Sequence, residues 1–87
     1  MSVPEKNDIL NVKFISPFET FFEGSAQSVS ASDISGPFDV LPGHNNFVGL
    51  LTSGDVKIVS TDGPKSIGIS KGIIYVFNNQ VEVFANV

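Results

Sequence analysis

The sequence contains no cysteine. Neither a disulfide framework nor a thiolate metal site is therefore available, which leans toward a cytosolic setting. Cations are scarce too: five lysines and arginines stand against nine aspartates and glutamates, for a formal net charge of -4. With so few cations the chain lacks the clustered positive charge that neutralises nucleic-acid phosphates. The same shortage argues against direct adsorption to anionic lipid. No window approaches the roughly 18 consecutive apolar residues of a membrane-spanning helix. Met1 to Asp8 has no apolar run, so it reads as neither signal peptide nor anchor but as a flexible N-terminus. Any membrane association is expected to come through a protein partner. There is no stretch of about ten residues with helical period, no repeat and no low-complexity tract.

What is present is a β-forming sequence, 87 residues long and 41% hydrophobic, enough for one small domain with its own core. Leu10, Val12 and Phe14 alternate with Asn11 and Lys13, the period of a half-buried strand, and Ser16-Pro17 stops it. Thr20-Phe21-Phe22 reads as a second short strand closing at Glu23-Gly24. Ala26 to Ser32 reads as a third, with Val29 and Ala31 inward. Asp33 to Gly36 is a loop and Phe38 to Leu41 a brief strand held between bends. Phe47 to Leu51, Val56 to Val59, Ser66 to Ser70, Ile73 to Phe77 and Val81 to Ala85 follow. Asp62-Gly63 signals a hairpin, and Asn78-Asn79 a turn. Eight to ten short strands at spacings of about 8 to 12 residues indicate an all-β sandwich or barrel.

One strand is apolar on both faces, with Ile74 and Val76 on one and Ile73, Tyr75 and Phe77 on the other. A strand of a small two-layer sandwich needs only one apolar face. Either both faces are covered within the domain, or Tyr75 and Phe77, with Phe84 as neighbour across the hairpin, form an aromatic patch that another subunit covers.

Chemistry-bearing residues are sparse. A catalytic reading starts from His44, the sole histidine, with Asp39 or Asp33 to orient it and a serine as nucleophile, but no nucleophile elbow or second base accompanies it. One histidine and scattered acids do not make a zinc site, and the aspartates lack calcium-loop spacing. No glycine-rich phosphate loop precedes a helix. No metal, cofactor or small-molecule substrate is expected. A free-standing sandwich that binds a peptide or sugar on the aromatic patch remains the competing expectation.

The stretch Gly36-Pro37-Phe38-Asp39-Val40-Leu41-Pro42-Gly43-His44 resembles the corner motif of the epsilon subunit of rotary ATP synthases, the delta subunit of mitochondria. Ile15-Ser16-Pro17, Phe22-Glu23-Gly24, the run from Leu51 to Ile58, Ser70 to Val76 and Val81 to Asn86 resemble further segments of that family in order and spacing. The resemblance implies that residues 9–87 form the family's N-terminal β-sandwich domain, of about ten strands; as a departure from the family pattern, the C-terminal helical hairpin that usually follows and can restrain ATP hydrolysis is expected to be lacking. It implies a non-catalytic rotor subunit of a proton- or sodium-translocating ATP synthase, joining the gamma subunit to the c-ring at the cytoplasmic face of the bacterial plasma membrane. Carried over by position, Gly36, Pro37, Phe38, Asp39, Pro42, Gly43 and His44 fall in the c-ring contact loop. Ser70, Tyr75, Phe77, Glu82 and Phe84 fall at the gamma interface. Pro37 stands where the family commonly has an acid, Asn45-Asn46 where Ala-Pro is frequent, Lys71 in place of Gly and Tyr75 in place of Glu.

Overall fold

The computed structural model describes residues 9–86, and the expectation of a flexible Met1–Asp8 lies outside them. Eight strands and no helix make up the described residues: β1 (Leu10–Ile15), β2 (Thr20–Asp33), β3 (Gly36–Val40), β4 (Phe47–Leu51), β5 (Gly54–Ser60), β6 (Gly63–Ile69), β7 (Lys71–Phe77) and β8 (Gln80–Asn86). They are joined in the order β4-β7-β8-β1-β2-β5-β6, with β3 added to β2. All pairs are antiparallel except β1 with β8.

Eight strands form, fewer than the about ten that the resemblance implies, and one fewer than the nine segments read in the sequence because the expected Glu23-Gly24 turn does not form. Glu23 and Gly24 stay in the ladder opposite Lys13 and Val12, so the two short strands read there are one 14-residue strand. β2 changes partners partway along. Its first half pairs with β1 up to Ala26 opposite Leu10, and its second half pairs with β5 from Ala26, opposite Ser60, and with β3 from Val29. The register breaks between Ala26 and Ser28, the local irregularity that lets one strand bend from one layer into the other. The sandwich is thus one folded sheet, its two layers sharing β2.

Alternation places the core where it was expected. Leu10, Phe14, Ala26, Val29, Val40, Ile58, Ile74, Val81 and Val83 are fully buried in a single cluster. Phe14 meets Phe21 edge to face at 5.3 Å, a favoured aromatic geometry.

Turn chemistry closes the hairpins. Asn78 and Asn79 link β7 to β8 with φ of 50° and 65°, the left-handed pair of a two-residue hairpin turn that asparagine tolerates. The Asp62-Gly63 signal does mark a hairpin, but its central residues are Thr61 and Asp62, and Gly63, with φ of 119°, opens β6 opposite Ser60. Pro64 is accommodated because β6 is an edge strand.

Candidate functional site

The outward side of the β4-β7-β8 layer departs from the polar surface that alternation normally gives a sheet. Register sets its rows. Val48 faces Tyr75 and Tyr75 faces Glu82, while Leu50 faces Ile73 and Ile73 faces Phe84. Continued across the layer, the first row reaches Lys13 and Glu23 and the second reaches Ile15 and Thr20. The face therefore grades from apolar at β4 and β7 to charged at β1 and β2. Val48, Leu50 and Phe77 are 66%, 72% and 63% exposed, and Tyr75 and Phe84 about two-fifths. Tyr75 and Phe84 contact edge to face at 5.9 Å and 90°, a favoured aromatic geometry. An open groove of about 540 Å³ runs over Asn46, Val48, Tyr75, Phe77, Glu82 and Phe84.

The two-sided apolarity of Ile73–Phe77 is therefore not resolved within the domain. Ile74 and Val76 are buried, and Tyr75 and Phe77 stay open to solvent. Of the residues assigned by sequence to the gamma interface, Tyr75, Phe77, Glu82 and Phe84 share this face. Ser70 does not join them. It sits between β6 and β7, its amide and hydroxyl donating to the Asn86 carbonyl at 2.9 and 3.2 Å. Val48 and Leu50 belong to the face but were passed over in the sequence. Phe47–Leu51 carries the same two-sided signal as Ile73–Phe77, weakened by Gly49 at its centre.

The corner residues divide between the two ends of β3. At one end Ile34 and Ser35 form the turn from β2, the Ser35 amide donates to Asp33 Oδ1 at 2.8 Å, and Gly36 takes a φ of 119°. At the other, His44 N–H donates to the Leu41 carbonyl at 3.0 Å around Pro42 and Gly43, whose φ is 86°. That is a type II turn, with proline and glycine at the positions it demands. Five residues of strand separate the bends by about 17 Å. Between them Phe38 turns inward onto Phe47, edge to face at 5.9 Å. Pro37, Asp39 and Leu41 form the exposed outward row. Asp39 Oδ1 accepts from the Ser30 hydroxyl at 2.6 Å.

His44 is exposed, with Nδ1 2.8 Å from the Asn45 carbonyl and its ring 5.1 Å from that of Phe47. Asp39 is engaged by Ser30 and Asp33 closes its own turn at the far end of β3, so each carboxylate is occupied away from the imidazole. Among the described residues the geometry offers His44 no orienting acid. The Pro42–Asn46 bend is instead tied to the β7–β8 turn. Gly43 N–H donates to Asn79 Oδ1 at 2.7 Å, Asn78 N–H donates to Asn46 Oδ1 at 2.8 Å, and Asn46 Nδ2 lies 3.5 Å from Asn78 Oδ1. These partners are 32 and 36 residues apart, and no local pattern signals them.

A folded-over sheet of eight strands with an exposed apolar face defines the class as a small β-sandwich domain. Residues 9–87 match the family described as ATP synthase, Delta/Epsilon chain, beta-sandwich domain, and the chain belongs to that family. It is 42% identical over 74 residues to the ATP synthase epsilon chain of Endomicrobium trichonymphae, covering 85% of this chain and 54% of that relative. Among solved structures, a chain of the Euglena gracilis mitochondrial ATP synthase matches with a TM-score of 0.82 at 18% identity, over 98% of this chain and 53% of that one. A chain of the Tetrahymena thermophila mitochondrial ATP synthase central stalk and c-ring matches with a TM-score of 0.78 at 15% identity, over 90% and 63%. These structural likenesses establish the fold. The chain spans about half to two thirds of the length of the relatives it matches.

Proposed function

We propose that this domain is a non-catalytic element of the central stalk of a rotary, proton- or sodium-translocating ATP synthase, docked on the gamma subunit and seated on the c-ring. The observation that carries this reading is the apolar outward face of β4, β7 and β8 on a chain of the epsilon family. Exposed Val48, Leu50, Tyr75, Phe77 and Phe84 are the side chains that a protein interface buries at its centre, with Glu82 and Lys13 at the charged margin. β7 is hydrogen-bonded along both edges, to β4 and β8, so Tyr75 and Phe77 stand on a rigid platform. Little order has to be gained on binding, and a rigid joint transmits torque without slipping.

The c-ring is met by the outward side of β3 and its bends, with Gly36, Pro37 and Asp39 toward one end and Pro42, Gly43 and His44 at the other, while Phe38 backs the strand from inside through its contact with Phe47. Asp39, held by Ser30, supplies the carboxylate contact that Pro37 cannot. In the complex the domain lies at the cytoplasmic face of a bacterial plasma membrane without entering the bilayer. Pull-down of gamma and c-ring subunits with wild type and with the double variant His44→Ala, Asp39→Ala tests the two surfaces. Retained gamma with lost ring is the expected result, and undiminished capture of the ring contradicts the assignment of β3.

A further inference from the structure

We propose that Asn46, Asn78 and Asn79 are positioning residues that clamp the Pro42–His44 bend to the β7–β8 hairpin, so that the loop proposed to meet the ring and the strands proposed to meet gamma move as one body. The consequence for assembly rests on the reading of those two surfaces given above; the clamp itself rests on geometry alone. Three hydrogen-bond contacts join the segments. Asn79 Oδ1 accepts from the Gly43 amide at 2.7 Å, Asn46 Oδ1 accepts from the Asn78 amide at 2.8 Å, and the Asn46 amide nitrogen faces Asn78 Oδ1 at 3.5 Å.

In each case the side chain supplies a contact that the backbone conformation alone does not. Asn78 and Asn79 hold the left-handed backbone of a hairpin turn, which glycine would also allow. Glycine, however, has no side-chain oxygen to offer the Gly43 amide. Asn46 reaches a backbone N–H that the turn leaves outside the β7–β8 ladder. The hairpin turn is in its own right anchored to the sheet, because the Asn79 carbonyl accepts from the Asn11 amide at 2.9 Å. A chain of hydrogen bonds thus runs from the bend through the turn into β1. An exposed loop with a proline-glycine turn and no such ties would sample other conformations freely.

The test compares Asn79→Gly, which keeps the backbone conformation and removes the acceptor, with Asn79→Asp, which keeps an acceptor oxygen in place. Amide hydrogen exchange by NMR on the whole chain reads the clamp directly. Gly43 exchanges about tenfold faster in Asn79→Gly, the size of effect one net hydrogen bond can have. Ile58, in the core, stays unchanged, and Asn79→Asp restores protection at Gly43. Unchanged exchange at Gly43 in Asn79→Gly overturns the clamp whatever the domain binds. Affinity for the c-ring and for gamma is then measured with the same proteins. Weaker ring binding with gamma binding retained, rescued by Asn79→Asp, supports the positioning role. Faster Gly43 exchange with unaltered ring affinity overturns that role while leaving the ring assignment standing. Absence of ring binding by wild type refutes the assignment of the loop, and the exchange result still decides the clamp.

Discussion

Replacing Gly72 by alanine tests how closely β7 is packed between its neighbours. Gly72 pairs with Leu51 of β4 and with Ala85 of β8. A Cβ at this position would lie 2.8 Å from the Phe84 carbonyl oxygen and 3.3 Å from both Cα and Cβ of Ala85. The first contact is about 0.6 Å inside the 3.4 Å at which ordinary van der Waals contact begins, and it is made to backbone, which cannot swing aside. β7 would have to shift away from β8, disturbing the ladder that presents Tyr75 and Phe77. Overpacking of this kind costs about 1–3 kcal/mol. Loss of glycine from the unfolded chain gives back about 0.4–1 kcal/mol, leaving a net loss of about 1.3 kcal/mol at the middle of the two ranges. For a domain of this size that lowers the melting temperature by about 5–10 °C. Gly68→Ala is the control, because Gly68 lies on edge strand β6 and its Cβ would meet only the end of the Asp55 side chain, at 3.3 Å. Its melting temperature stays level or rises slightly. Thermal unfolding followed by circular dichroism reads both variants, and a Gly72→Ala melting point within about 2 °C of wild type refutes the steric argument.

Phe14→Ala removes the largest fully buried side chain and its edge-to-face contact with Phe21. It costs about 3–5 kcal/mol in denaturant unfolding, and a loss below about 1 kcal/mol would show that the core around β1 collapses to fill the space. Ser60 is the one buried polar side chain among the described residues, its hydroxyl donating to the Gly63 carbonyl at 2.7 Å and accepting from the Asp62 amide at 3.2 Å. Ser60→Ala loosens the β5–β6 turn and lowers stability by about 1 kcal/mol, read by the same unfolding assay. Loss of the acceptor in Asn79→Gly is expected to free the Gly43 amide without melting the core.

The fold was legible wherever period-2 alternation operated without interference. β1, β5 and β8 show it plainly, and their inward residues are the buried ones. It failed at Glu23-Gly24, a sequence that forms turns in isolation and is held extended here by pairing with Lys13 and Val12. Local signals cannot anticipate a partner supplied by another strand. The aromatic face was half legible. Ile73–Phe77 announced two apolar sides and Phe47–Leu51 did so more weakly across Gly49, and register joins Val48 and Leu50 to the face and sets Glu82 at its margin. The corner motif was recognised as one unit, yet its glycines serve two separate turns at opposite ends of β3. The asparagine ties to the β7–β8 turn are long-range side-chain contacts and leave no mark on local pattern.

The central claim is that the β4-β7-β8 face is where the domain docks on gamma. The most direct measurement is isothermal titration of the gamma subunit into wild type, Tyr75→Ala and Phe77→Ala, with Ile34→Ser as a control in the exposed β2–β3 turn. A central aromatic of an interface is worth more than about 1 kcal/mol, so each aromatic variant should raise Kd by about fivefold or more while Ile34→Ser leaves it unchanged. Equal affinity in wild type and both aromatic variants, or no binding by wild type, would contradict the account.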